Sequence, residues 1–165
     1  MARTKRIRTP GEPAAPVDFR TLLSHRLLVL SNTLGKGAVR HYARQYGVPL
    51  AEWRLLTALA TVTPASVNSL AAYLGTDKGW ISRVAASLVQ KGFAITIPDS
   101  TDARRFEIAL TASGRELYAR IEPAAIERHR KLVTVLDEQE LRTLDGLLDR
   151  LQQQAERLAD NDAAD

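Results

Sequence analysis

The chain has 165 residues and no cysteine, and its 23 basic and 19 acidic side chains give a formal net charge of +4. This length and a hydrophobic content of 45% are typical of one soluble globular domain, or of one domain with a dimerising lobe. The missing cysteine excludes a disulfide scaffold, a thiolate zinc site and a cysteine redox sensor.

The sequence lacks the motifs of several other protein classes. No run approaches 18 apolar residues, so we expect no membrane span, and the N-terminus lacks the apolar stretch of a secretory signal. The three histidines lie far apart, which argues against a metal site, and we expect no cofactor. No glycine-rich phosphate loop or nucleophile elbow indicates an enzyme. We therefore expect a cytoplasmic protein that is not an enzyme.

The charge is unevenly distributed. Residues 17–49 carry five bases and one acid, whereas the chain from Thr134 onward carries nine acids and three bases. This contrast indicates a basic side that faces a partner, for which nucleic acid is the usual candidate, and an acidic solvated side.

Residues 1–16 hold three prolines and a basic cluster, and we predict a disordered arm that is either a solvated tail or an auxiliary DNA contact. A first helix is predicted from about Asp18 to Tyr46, ending at Gly47, with a bend where Gly35 and Gly37 weaken it.

The next elements predict a helix-turn-helix. A second helix spans about residues 51–60, and Ser66 has the character of an N-cap for a short third helix that ends at Gly75. Thr76 is a candidate cap for the fourth helix, with Asp77 favouring its N-terminal dipole. Two short helices joined by so short a turn are typical of DNA-binding motifs.

The fourth helix, about residues 77–91, has two distinct faces. Ile81 and Leu88 fall on an apolar stripe, whereas Ser82 and Arg83 lie on a face of small and polar residues suited to phosphates or base edges. Lys78 and Trp80 lie near the end that a recognition helix inserts into the major groove. For Trp80, packing at the core edge and groove contact both stay open.

Two runs of alternating residues, about 94–98 and 106–110, predict a β-hairpin with a projecting loop. Its tip carries Arg104 and Arg105, which suit the negative potential of a DNA minor groove, and Asp102 is placed to orient an arginine. A fifth helix begins after Thr111 and is interrupted at Pro123, and Asp137 with Glu140 predicts a capping box before a last, leucine-striped helix.

Several ordered motifs together resemble the MarR family of winged helix-turn-helix regulators. Asp102–Thr111 resembles the wing motif of that family, and Asp77–Arg83 resembles the opening of its recognition helix. Shorter similar stretches begin at Leu50, Leu110 and Leu136, and the resemblance covers residues 17–158. Gly79 and Trp80 depart from it, since Ser and Thr are common at those positions.

The resemblance implies a mostly α (α+β) fold, in which helices at 17–46 and 112–158 form a dimerisation lobe and residues 50–111 form the DNA-binding lobe. Residues 159–165 are expected to fray. It also implies a homodimer on pseudo-palindromic double-stranded DNA, and a repressor released by a small aromatic or phenolic ligand. The expected DNA-binding residues are Lys78, Gly79, Trp80, Ser82, Arg83, Asp102, Arg104 and Arg105.

The ligand site has no linear motif. His25, His41 and Trp53 are candidates because the first two helices border the pocket in the resembling family, and Arg44 is a candidate countercharge for an anion. Each of these is also compatible with an ordinary core or surface role. The alternative function is a winged-helix protein-interaction module without a ligand response.

Overall fold

The computed structural model describes residues 17–98 and 106–162, and the chain divides into two compact units, Met1–Ala51 and Glu52–Asp165. The described residues form six α-helices, one 3₁₀ turn and three short strands. This confirms the predicted mostly helical α+β class. The predicted disordered arm and the wing tip lie outside the described residues.

The first unit is built on one long helix. A 3₁₀ turn at Phe19–Thr21 is capped by Asp18 and precedes α1, Leu23–Tyr46. The helix runs through Gly35 without interruption and ends at Gly47. The left-handed φ of Gly47, 67°, turns the chain so that the Val48 N–H reaches the Tyr42 carbonyl at 3.4 Å. Many apolar side chains of this unit are exposed: Val17, Phe19, Leu22, Leu23, Leu27, Leu28, Val29, Leu30 and Val39.

The second unit contains the helix-turn-helix. Its helices are α2 (Leu50–Thr61, beginning at the end of the first unit), α3 (Val67–Leu74) and α4 (Lys78–Gln90). Their apolar faces form a core in which the following side chains are fully buried: Leu55, Leu56, Leu59, Leu70, Ile81 and Leu88. The second, third and fourth predicted helices are therefore confirmed to within a residue or two at each end.

A three-stranded antiparallel sheet combines one strand that precedes α3 with two strands that follow α4. The strands β1 (Ala65–Ser66), β2 (Ala94–Pro98) and β3 (Phe106–Leu110) lie in the order β1-β3-β2. The predicted hairpin is confirmed, with Thr96 opposite Ile108. The two-residue β1, which pairs Ala65 with Ile108 on the other edge of β3, was not predicted because it is too short to show alternation.

Two long helices complete the chain, α5 (Ala112–Val133) and α6 (Glu138–Asp162). The predicted interruption at Pro123 is wrong, because α5 continues through it, and the buried Leu117 and Ile121 anchor the preceding turns. The predicted capping box is confirmed, since Asp137 and Glu140 exchange backbone-to-carboxylate hydrogen bonds of 2.8 and 2.9 Å. Helix α6 continues to Asp162, beyond the expected start of fraying at residue 159.

None of the described helices is long and apolar enough to cross a membrane. The described residues also contain no group of three or more histidine or acidic side chains arranged to hold a metal ion.

Candidate nucleic-acid interface and ligand site

Three local interactions fix the two ends of α3 and the start of α4. Ser66 caps α3 by accepting from the Ser69 amide at 3.1 Å, and Gly75 ends it with a φ of 59°. The cap of α4 is Asp77, whose carboxylate accepts from the Trp80 amide at 2.7 Å, and the prediction of Thr76 is wrong. Asp77 is favoured because its carboxylate reaches the free amides and also complements the helix dipole.

Helix α4 presents opposite faces to the core and to solvent. Ile81, Val84, Ala85 and Leu88 are buried, as the helical period predicts. Lys78, Gly79, Ser82 and Arg83 are exposed. Neither Lys78 nor Arg83 forms an ion pair within the part of the chain that the structure describes. Lys78 and Arg83 are about 140° apart around the helix, and each is an exposed, unpaired cation that can approach a phosphate group.

Two polar details shape this exposed face. The Ser82 hydroxyl donates to the Lys78 carbonyl at 2.9 Å, so it is oriented along the helix axis. A Cβ on Gly79 would lie 3.1 Å from the Asp77 carboxylate and 3.3 Å from an Arg83 guanidinium nitrogen. Glycine at position 79 therefore leaves room for the Arg83 side chain to lie back over the first turn.

Trp80 is half-buried, and Arg54 of α2 lies over its ring. Arg54 also donates to the Leu74 carbonyl at 3.3 Å, at the C-terminus of α3. The ring thus packs against the helix-turn-helix along one side, which supports the packing interpretation of Trp80. The other predicted DNA-binding residues, Asp102, Arg104 and Arg105, lie outside the described residues.

His41 lines an open cavity of about 630 Å³ on α1, together with Gly37, Arg40, Arg44 and Gln45. These positions follow helical spacing, so they share one face of α1. The His41 Nε2 atom is buried without a hydrogen-bond partner among the described residues. Its ring meets Tyr42 and Tyr46 edge-on, with centroid distances of 5.2 and 6.2 Å. The face combines two guanidinium groups with a buried, unsatisfied ring nitrogen.

Two of the three predicted ligand residues, His25 and His41, lie far apart along α1. His25 is exposed on α1, 16 residues before His41, and the helical rise of 1.5 Å per residue separates them by about 24 Å. Trp53 belongs to the other unit, where it is buried and its ring stacks on Tyr118 at a centroid distance of 5.6 Å. The Tyr118 hydroxyl donates to Glu122 at 2.7 Å, and this bond together with burial raises the pKa of the phenol.

Sequence reasoning missed several residues that the fold places near these sites. Arg40 and Gln45 were not singled out, although Arg40 lies one turn before Arg44 and Gln45 lies one turn after His41. Helical spacing alone could have found both. Arg54 and Glu52 contact α4 across the helix-turn-helix, and no local pattern indicates such contacts between elements.

Comparison with known proteins identifies this architecture. A family model for the MarR family matches residues 46–105, the segment that contains α2 to the wing. A MarR/EmrR family transcriptional regulator from Acinetobacter sp. ADP1 matches with a TM-score of 0.77 and 30% identity, over 81% of this chain and 94% of that chain. The chain belongs to the MarR family.

Two curated relatives of this MarR-family chain are also named as regulators. A protein named for transcriptional regulation of the hcr operon in Thauera aromatica is 31% identical over 121 residues, 71% of this chain and 73% of that protein. The transcriptional activatory protein BadR of Rhodopseudomonas palustris is 28% identical over 121 residues, 72% of this chain and 69% of that protein. The chain is thus a MarR-family transcriptional regulator and not an enzyme, and its family is one of DNA-binding proteins.

Proposed function

We propose that this protein is a homodimeric, sequence-specific DNA-binding repressor whose α4 helices enter the major groove of a pseudo-palindromic operator and whose wings contact the flanking DNA. The observation that carries the proposal is that Lys78 and Arg83 of α4 are exposed and unpaired within the described chain, while the apolar side of the same helix is buried. A structure of the Staphylococcus aureus MepR–DNA complex shares the fold, with a TM-score of 0.74 and 20% identity.

The test is fluorescence anisotropy with duplex DNA from upstream of the protein's own gene. Arg83→Ala is expected to weaken binding by about 10- to 100-fold, the value of one good base or phosphate contact. Arg157→Ala removes the same charge from the exposed face of α6 and serves as the matched control, with affinity expected within about twofold of wild type. If wild type shows no preference for this DNA, the protein-interaction module becomes the better interpretation.

Dimerisation is supported by apolar faces that the single chain leaves exposed. On α6 the leucines at 144, 147, 148, 151 and 158 follow helical spacing and are each at least 40% exposed, and the helix has no buried residue. A contiguous apolar stripe of this kind is typical of a protein interface. Sedimentation of Leu147→Glu should show a lighter species than wild type, whereas Gln153→Glu, on the opposite face, should not change the mass.

We further propose that a small aromatic anion binds the His41 face of α1 and releases the DNA. The guanidinium groups of Arg40 and Arg44 supply the countercharge, and the unpartnered His41 Nε2 supplies an orienting hydrogen bond. PcaV from Streptomyces coelicolor, with the same fold at 20% identity and a TM-score of 0.69, was solved with its natural ligand.

The ligand proposal is tested by thermal shift with aromatic carboxylates, phenols and acyl-CoA thioesters, because a bound ligand raises apparent stability by mass action. Arg44→Gln should abolish the shift that wild type shows, and Arg26→Gln, earlier on α1, should retain it. The same compound should weaken operator binding if the protein is a repressor. Strengthened binding would instead indicate an activator, which is how BadR is described.

A further inference from the structure

A buried carboxylate joins α2 to the C-terminal part of α4. Glu52 is 6% exposed, and it is the one charged side chain buried among the described residues. Its Oε1 atom accepts from the Ser87 hydroxyl at 2.7 Å and from the Lys91 ammonium at 2.6 Å. We call these three residues the Glu52 bridge.

Burying the Glu52 carboxylate costs hydration free energy, and only a specific arrangement of partners compensates for that cost. A buried charge must recover its lost hydration from partners, and a single missing partner leaves it uncompensated. Here the compensation comes from Lys91, from Ser87 and from the first turn of α2, where Glu52 meets the positive end of the helix dipole. The contributions from Ser87 and Lys91 both depend on α4 lying at one rotation and one depth against α2.

The positions of the contacts on α4 show what the bridge fixes. Trp80, Ser87 and Lys91 are spaced by seven and four residues, so they lie on one stripe of the helix. Arg54 of α2 meets this stripe at Trp80, two turns before the Glu52 bridge meets it. Helix α2 therefore holds α4 near both of its ends. By the 100° step of a helix, Lys78 and Ser82 point about 160° away from the stripe and Arg83 about 60° away from it.

We propose that Glu52 is a positioning residue for operator recognition, because the Glu52 bridge fixes the rotation of α4 and with it the placement of the exposed Lys78 and Arg83. This inference rests on the proposed role of α4 as the DNA-reading helix. A rotation of α4 by a fraction of a turn changes which base edges the exposed face meets, whereas contacts with the uniform phosphate backbone tolerate it. Loss of the bridge should therefore reduce specificity more than general affinity for DNA.

The test compares Glu52→Ala, Glu52→Gln and Lys91→Met in full-length protein. Each is titrated with the operator duplex that wild type prefers and with a scrambled duplex, at several salt concentrations and at a temperature where circular dichroism shows the variant folded. Glu52→Ala is expected to lose on the order of tenfold in operator affinity and little in scrambled-duplex affinity, the scale of coupling within a buried network. Glu52→Gln keeps the Oε1 acceptor and should retain most of the specificity.

Lys91→Met keeps most of the apolar stem and, with 42% of its side chain exposed, is expected to fold even if Glu52→Ala does not. It should reproduce the specificity loss. The double variant Glu52→Ala/Lys91→Met should lose no more specificity than either single variant, because each substitution removes the same Glu52 bridge. Glu127→Gln is the matched control, since it breaks the exposed pair with Lys131 on α5 and should change neither affinity.

Three results would overturn the inference. One is a lower melting temperature with an unchanged ratio of operator to scrambled affinity, which would make the bridge merely structural. Another is tighter operator binding in Glu52→Ala, which would mean that Glu52 withholds Lys91 from DNA. The third is an effect of Lys91→Met on affinity that adds to the effect of Glu52→Ala, with a slope of log affinity against log salt concentration that is shallower by about one. That result would make Lys91 a phosphate contact. If wild type itself showed no operator preference, the proposed function would fail first.

Discussion

The guanidinium carbon of Arg54 lies 5.5 Å from the ring centroid of Trp80, so that α2 covers one face of the indole at the start of α4. Arg54 is exposed and Trp80 is half-buried, which places the contact at the rim of the core. The cation and the ring quadrupole attract each other most where water is partly excluded.

We expect this contact to be measurable as a coupling. In a double-mutant cycle of Arg54→Ala and Trp80→Ala, urea unfolding should give an interaction free energy of about 0.5–1 kcal/mol. Pairing Trp80→Ala with Arg120→Ala, an exposed arginine on α5, provides the control cycle and should be additive. Additivity in the Arg54 cycle would mean that the two side chains do not stabilise each other.

Gly114 is required by close packing between α5 and the turn after α4. A Cβ at this position would lie 2.0 Å from the Phe93 carbonyl oxygen, and the same oxygen accepts from the Thr111 amide at 3.1 Å, so the backbone on both sides is held. Gly114→Ala should therefore lower the free energy of unfolding by more than about 2 kcal/mol, the scale of overpacking in a rigid site.

Gly146 provides the opposite case for the same substitution. It lies within α6, and a Cβ there would meet nothing within 4 Å. Gly146→Ala should raise stability by up to about 1 kcal/mol, because alanine is the better helix former. Equal effects of the two substitutions in urea unfolding would contradict the packing argument for Gly114.

The Asp77 cap is expected to stabilise α4. Asp77→Ala should cost about 1 kcal/mol in unfolding free energy because the Trp80 amide loses its acceptor, and Asp77→Asn should cost less because it keeps one. Thr76→Ala is the control for the neighbouring residue and should lie close to wild type. A larger loss from Thr76→Ala than from Asp77→Ala would restore Thr76 as the cap.

Tyr118 makes stability sensitive to alkaline pH. Its pKa is raised above the ordinary value of 10.0, mainly by the hydrogen bond to Glu122 and also by burial, by the Glu122 charge and by Tyr73. A raised folded-state pKa contributes stability that is present below pH 10.0 and is lost as pH rises through the folded value. Wild type should therefore lose more stability than Tyr118→Phe over that alkaline range.

Glu122→Gln should bring the phenolate titration of Tyr118, followed by ultraviolet absorbance, back toward the ordinary value. Glu116→Gln, on an exposed part of α5, is the matched control and should leave the titration unchanged. An unchanged titration in Glu122→Gln would show that burial, and not the carboxylate, determines the shift.

The elements that sequence predicted well are those decided by local chemistry. The caps at Ser66 and Thr111, the glycine ends at Gly47 and Gly75, and the capping box at Asp137 each satisfy backbone groups within a few residues. The two faces of α4 follow from helical period alone. These signals sufficed to predict the helix-turn-helix and the exposed candidate DNA-binding face.

What sequence could not predict depends on partners distant in the chain. Pro123 lies inside α5 without ending it, so the helix as a whole tolerates the local cost of the missing proline amide. Glu52 lies 35 and 39 residues from its partners, and no periodicity indicates that this one acid is buried.

The bare leucine stripe of α6 has a consequence for how the protein behaves at low copy number. A helix of 25 residues that buries no side chain within its own chain has little to hold it folded, since isolated helices are marginal in water. The helix must then be stabilised by whatever covers its leucines. In a homodimer the covering surface is the partner protomer, and the fraction of chains that have a partner falls with dilution. In the proposed homodimer, dilution that separates the protomers should therefore melt α6, which circular dichroism at decreasing protein concentration would show.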